Sequence, residues 1–383
     1  MSEIPVSGRC DPKFAAVEDA FRQNMAAGDP VCGDELGACV SIVVDGEVVV
    51  DLWGGYRDAA RTRPWEADTI TCMMSVTKAC AAIALLSLMD RGALSMDDKV
   101  SDHWPEFSGD GKEDMTVRTL ISHQSGVIYA DAAAADSLWD GTSVERALEA
   151  ATPEWEPGTG GAYHSFTYGP LMNGLIRHVD GRDVGTVWRE DIADPFGIDF
   201  HIGLNDEEAA RRAEFVETPG TPSRDGIKGV TESPLLRAWR PMPRGEDFNS
   251  DDWVRNQFAS ANGHGNARAI ARLYGGLSNG GLIDGKTLLS EGLLSDAISE
   301  HWDDLDRMTN RSFRFACGFM LSCPPFPFGG YRDNFGHTGI GGAVGFGDPV
   351  RHLGFSYCCN RMAPIADLGP FAPPMIDAMY AAL

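Results

Sequence analysis

The sequence predicts an α/β (α+β) protein. An antiparallel sheet is expected to be built from the N- and C-terminal segments, flanked by helices, with a mainly helical domain inserted between them. Three observations carry this expectation: β-branched runs lie near both ends, helical periodicity dominates the middle, and 383 residues are too many for one small core. The expected division is a discontinuous sheet domain, residues 1–74 and 266–383, around a helical domain, residues 75–265, that carries the active-site loops.

Phe14, Val17, Phe21 and Met25 recur at helical spacing and Gly28 follows as a stop, so an amphipathic helix comes first. Two β-branched runs between Ala38 and Trp53 flank Asp45-Gly46, a pair suited to a type I′ hairpin turn with φ > 0 at both positions. From Ser75 to Asp90 the chain is apolar nearly all round, with Gly92 beyond, and a helix of that kind belongs in an interior. Thr116 to Gly126 reads as a short helix closed by glycine. Leu171–Val179 and Ala267–Leu277 read as two more helices. Between Thr218 and Gly265 lies a stretch rich in Pro, Arg and Trp, of the length that serves as a lid or pocket wall. Strand signals return at Arg314–Leu321, Gly342–Phe346 and Leu353–Cys359, and a helix from Pro374 to Leu383 closes the chain.

Composition narrows the function. Against 32 basic residues stand 56 acidic ones, a net charge of −24 that repels phosphate backbones and anionic lipids. Neither a nucleic-acid partner nor a membrane is therefore expected. The opening residues lack a basic and then apolar leader, and the longest apolar stretch, Ala79 to Met89, is too short to span a bilayer. Nine scattered cysteines form no C-x-x-C pair, which argues for buried free thiols and a cytoplasmic, reducing compartment.

Ser75-Val76-Thr77-Lys78 is the first candidate site. It is the one S-x-x-K in a chain with six lysines, and it opens the most apolar helix. The spacing puts hydroxyl and amine on one helix face. A lysine in apolar surroundings gives up its charge more readily, so it can take the serine proton, which arginine cannot. Tyr163 precedes a helix, and a tyrosine beside an ammonium is expected to ionise more easily and act as a base. Gly336 to Gly342 is a glycine-dense strand able to lend a backbone N–H to an oxyanion. Gly276-Leu277-Ser278-Asn279-Gly280 matches G-x-S-x-G, but a helix precedes it where a nucleophile elbow needs a strand, so Ser278 reads as a helix end. His123, His264 and His352 stand isolated and read as surface or core residues. With no ligand cluster, neither a metal nor another cofactor is expected.

Taken in order, these motifs resemble the serine β-lactamase and penicillin-binding-protein superfamily, nearest its class C-like branch with the family VIII carboxylesterases. The resemblance rests on Asp-Leu-Trp-Gly-Gly, Ser-Val-Thr-Lys, Thr-Val-Arg-Thr-Leu-Ile-Ser-His-Gln-Ser-Gly, Glu-Pro-Gly-Thr with Tyr-His-Ser, Asn-Gly-His-Gly-Asn-Ala-Arg and Gly-His-Thr-Gly-Ile-Gly-Gly. It implies Ser75 as the acylated nucleophile, Lys78 as its proton acceptor and Tyr163 as partner base. It places the oxyanion between the N–H groups of Ser75 and Ile340. His164, Ser165, His337, Thr338 and Gly339 become candidates for contacting substrate, and the aromatic-rich stretch around Trp239 and Trp253 is a candidate for the apolar walls of an acyl or alcohol pocket.

Two departures from the class C pattern bear on substrate. Ser165 stands where those enzymes carry the Asn of Tyr-x-Asn, and His337 where they carry the Lys of Lys-Thr-Gly. Without that cation an anionic β-lactam is poorly held, and the −24 charge opposes its approach. The expected activity is therefore hydrolysis of small, short-acyl carboxylic esters. The alternatives are a β-lactamase or D-amino-acid-specific peptidase, an acyltransferase, and a non-catalytic ligand-binding protein.

Overall fold

The computed structural model describes residues 4–29, 32–218, 233–243, 247–363 and 367–383. Part of the Thr218–Gly265 stretch, residues 219–232 and 244–246, lies outside the described residues. The N-terminal part supplies strands β1 (Val6–Cys10), β2 (Gly37–Val44) and β3 (Glu47–Gly55). The C-terminal part supplies β4 (Trp302–Leu305), β5 (Ser312–Phe315), β6 (Met320–Leu321), β7 (Phe335–Gly339), β8 (Ala343–Asp348) and β9 (Leu353–Cys359). They make one sheet in the order β1-β3-β2-β9-β8-β7-β6-β5-β4, antiparallel throughout. The two ends of the chain join at β2–β9, where Ala38 to Val44 pair with Cys359 to Leu353. Every residue of β9 is buried, as a strand covered on both faces requires.

Among the described residues five longer helices cover the sheet and fill the inserted region: α1 (Ala15–Ala27), α2 (Val76–Asp90), α3 (Tyr168–Asp180), α4 (Ala267–Ser278) and α5 (Ala372–Ala382). Val17 and Phe21 of α1 and Met375 and Met379 of α5 bury themselves with Ile42, Val50, Phe346 and Phe355 of the sheet. On the other face Ile270 and Leu273 of α4 share a core with Ile83 and Leu86 of α2. From Val76 to Met89 every residue of α2 is buried, which explains a sequence with no polar face. The hairpin turn has Asp45 and Gly46 both at positive φ, as its sequence predicts. A second, three-stranded sheet joins Thr71–Cys72, Gly263–Gly265 and Phe200–Ile202, and ties the approach to α2 to the loop before α4.

Some local expectations are corrected. The strand expected over Arg314–Leu321 is a tight hairpin, with Phe315 paired to Met320 across a turn at Cys317-Gly318. Gly318 has φ +82°, and a Cβ there would lie 2.1 Å from Ala82 Cβ of α2, so close packing as well as the turn demands glycine. The helix expected to run to Gly126 ends at Ile121, because the chain reverses at His123, whose φ is +65°. Ser278 is the last residue of α4 and is buried, as the rejected elbow motif implies. All nine cysteines are free thiols. Among the described residues no helix is long and apolar enough to cross a membrane.

Candidate active site

Ser75 sits at the N-terminal end of α2, and the chain reaches it through Met74 at φ +48°, a conformation that a non-glycine residue adopts only under constraint. The constraint is visible. Met73 N–H donates to Gly263 O (2.9 Å), Thr77 Oγ1 donates to Met74 O (2.5 Å), and Gly263 N–H donates to Thr77 Oγ1 (2.9 Å). Thr77, between the two residues of the S-x-x-K motif, is thus the strap that fixes the turn.

One helical turn on, Lys78 is fully buried, with Nζ 3.1 Å from Ser75 Oγ. Nζ also donates to Ser260 O at 2.7 Å and lies 4.9 Å from the centre of the Tyr163 ring. Burial holds the ammonium pKa well below its usual value, as the sequence argument required. Ser260 is itself held by α3, since its hydroxyl donates to Phe166 O (2.5 Å) and accepts Gly169 N–H (2.7 Å). Nothing in the spacing of the sequence marks Ser260, because it acts through its carbonyl.

The Tyr163 phenol feels the Ser75 side chain, and its ring lies beside the Lys78 amine that bonds Ser75, so Ser75, Lys78 and Tyr163 form one cluster. The expected direction of its pKa is reversed. Burial, the largest effect, raises the phenol above its ordinary value, and Asp306 adds to the rise. Desolvation disfavours phenolate and ammonium alike, so the neutral pair of amine and phenol is favoured over two opposite charges. Asp306 grips this turn: one carboxylate oxygen accepts Tyr163 N–H and the other accepts Thr309 N–H (2.6 Å) and Met308 N–H (3.0 Å). Aromatic rings of Phe313 and Phe315 stack against Tyr163 at 5.8 and 6.0 Å.

Three histidines surround the cluster. His123, expected to stand isolated, packs against Tyr163 (5.4 Å) and Tyr168 (4.4 Å), and its Nδ1 accepts His164 N–H at 3.1 Å. His164 is bonded at both ring nitrogens: Nδ1 lies 2.6 Å from Ala162 O and Nε2 2.6 Å from Ser125 Oγ, and it is 1% exposed. Its buried ring, bonded at both nitrogens, supports the turn. His337 is also buried, with Nδ1 2.7 Å from Thr338 O, which assigns the proton to Nδ1. Burial, and secondarily Lys78, pushes the His337 pKa down to about 3, while burial brings His164 to about 4. Both rings are neutral at physiological pH.

The strand β7 delivers the remaining candidates. A Cβ at Gly339 would stand 2.3 Å from Met73 O, so glycine is what lets this strand touch the turn before Ser75. Ile340 follows directly and is partly buried. Thr338 points its hydroxyl at Met320 Sδ (3.8 Å) and is nearly buried. Ser165 and Trp239 come together, the indole N–H donating to Ser165 Oγ at 3.0 Å. Trp253 does not join them: it is wholly buried against Phe248 and Phe258. A cavity of about 270 Å³ lies elsewhere, beside Gly169 and Asn173, and its Arg177 is paired with Glu145 (2.6 Å) and Asp183 (2.7 Å). Among the described residues no group of three or more His, Cys, Asp or Glu could hold a metal ion.

Comparison with known proteins gives the family. Residues 17–371 match the family model described as Beta-lactamase. The chain is 32% identical over 366 residues to the esterase/beta-lactamase LipL of Mycobacterium tuberculosis, covering 93% of this chain and 83% of that protein. Among solved structures, a penicillin-binding-protein homolog from Caulobacter crescentus superposes with a TM-score of 0.89 at 36% identity, covering 99% of this chain and 100% of the other. A family VIII carboxylesterase superposes with a TM-score of 0.88 at 34% identity, with the same coverage. The chain belongs to the beta-lactamase family, as a serine hydrolase similar to the family VIII carboxylesterases.

Proposed function

We propose that the protein is a serine carboxylesterase that hydrolyses small, short-acyl esters through an acyl-enzyme on Ser75. The observation that carries this reading is a buried lysine, pushed toward its neutral form, 3.1 Å from the serine hydroxyl. Lys78 takes the Ser75 proton as Oγ attacks the ester carbonyl. The N–H groups of Ser75 and Ile340 receive the oxyanion. Tyr163 passes its proton to the departing alkoxide and is reprotonated from Lys78. Water then enters, gives its proton to the same relay and releases the acid. The reaction needs no cofactor, because base, acid and oxyanion donors all come from the chain.

The preference for a neutral ester over an anionic β-lactam rests on His337. At the position of the family's lysine it is a neutral ring rather than a fixed cation. Two assays test the reading. Cleavage of p-nitrophenyl acetate or butyrate should far exceed that of a chromogenic cephalosporin; the reverse ranking would replace esterase by β-lactamase. A fluorophosphonate probe should label the wild type and not Ser75→Ala, and equal labelling of both would remove Ser75 as nucleophile.

A further inference from the structure

Trp239 stands in the segment 233–243, just after the five-residue helix Pro234–Ala238. Its indole is half-buried, edge-on to Phe166 (5.6 Å) and Phe258 (6.4 Å). The same residue packs against a small apolar cluster of Ile128, Tyr129, Ala162 and Ala238 that is separate from the main cores. The segment is tied down on its outer side as well. Arg237 pairs with Asp131 and with Glu154 (2.9 Å) and lies 3.7 Å over the Tyr129 ring, and Arg240 donates to Asp131 O at 2.7 Å. Exposed ion pairs of this kind add little energy. The tie that reaches the site is the indole N–H on Ser165 Oγ. Ser165 in turn belongs to the tight turn of Tyr163, its N–H donating to Tyr163 O at 2.7 Å. The turn that places the phenol on Ser75 therefore also places the indole.

We propose that Trp239, held by Ser165, is the wall that limits the acyl chain and so determines specificity. This rests on the esterase reading above. Tyr163 serves the departing alcohol; the Ser165–Trp239 side is assigned to the acyl group, and the alcohol series below tests that assignment. The one polar atom of the indole is already spent on Ser165, so the ring offers only carbon to a substrate. An apolar acyl chain that stops short of the ring is accommodated. A longer chain collides with it, and an acyl group bearing an amide loses water there without gaining a partner from the indole.

The test is the ratio of kcat/KM for p-nitrophenyl octanoate to that for p-nitrophenyl acetate, beside a series of acetates of lengthening alcohols. Trp239→Ala should raise the octanoate-to-acetate ratio about tenfold, and Ser165→Ala, which keeps the indole but frees it, about threefold. Ratios within twofold of wild type in both variants would overturn the proposal. A gain confined to the alcohol series would overturn the acyl assignment. If Trp239→Ala does not fold, Ser165→Ala decides alone. Failure of the underlying reading looks different: the wild type would then cleave neither series and resist the fluorophosphonate, and the proposal would fall with it.

Discussion

Two tyrosines of this protein lie in buried polar clusters with opposite outcomes. Tyr163 meets Lys78 and Ser75 at the end of α2, whereas Tyr357 of β9 meets Glu35 just before β2, with Arg361 and Cys359 nearby. Burial raises both phenols and drives each partner toward its uncharged form, the lysine downward and the carboxyl up to about 7. The physics is the same. In the first cluster the neutralised group is a base within reach of a half-buried serine hydroxyl. In the second it is an acid whose oxygen already accepts the Tyr357 hydroxyl inside the wall of the sheet. In the proposed reading, desolvation makes a reactive group of the first cluster because its neutral form is a base with a hydroxyl beside it.

The largest effect should come from removing the base from the first cluster. Lys78→Arg keeps a nitrogen donor at the site but supplies a group that stays protonated, so kcat/KM for p-nitrophenyl acetate should fall about 10³-fold. Lys78→Met, which suits the apolar surroundings, should fall as far. Near-wild-type turnover in either variant would make Lys78 a bystander.

Tyr163→Phe should cost about 10²-fold in kcat/KM, since the relay is lost while the base remains. The pH profile separates the two roles. Activity needs the amine, so kcat/KM should rise with pH through the depressed pKa of Lys78 and level off above it. In Tyr163→Phe that rise should stay in place and only the plateau should drop, because burial, not the phenol, sets the lysine. A limb that moves toward the ordinary lysine range would show the phenol to be the cause.

Much of this contrast was legible in the sequence, and the part that was not has a physical reason. The S-x-x-K spacing places hydroxyl and amine on one face, and the apolar helix around it foretells the burial that neutralises Lys78. The Asp45-Gly46 turn and the run Leu353–Cys359 are local signals, and they hold. The Arg314–Leu321 hairpin was hidden because its cause is a contact with Ala82, more than two hundred residues away. Ser260 and Asp306 were invisible for a related reason: one acts through a backbone carbonyl, the other through a carboxylate that finds Tyr163 only after folding. The shift of Tyr163 runs opposite to the sequence expectation because the burial that raises the phenol also removes the charge of the neighbouring lysine.

The second cluster gives the smallest effect and the sharpest check on the comparison. Glu35 is 1% exposed, and burial raises its carboxyl to about 7 against the tempering effects of the Tyr357 hydrogen bond and Arg361. The folded pKa therefore exceeds that of the unfolded chain. Between about pH 4.5 and 7 the unfolded state has released this proton while the folded state keeps it, so stability falls as pH rises through that window and is level above it. Glu35→Gln retains a carbonyl to accept the Tyr357 hydroxyl and removes the titration. From pH 5 to pH 8 the variant should gain about 2 kcal/mol relative to wild type, read from urea midpoints at the two values. Other titrating groups are common to both proteins and cancel. Esterase activity at pH 8 should be unchanged, because nothing in this cluster touches Ser75. A difference that does not vary with pH would mean that Glu35 is ionised in the folded protein, and the parallel with Lys78 would fail.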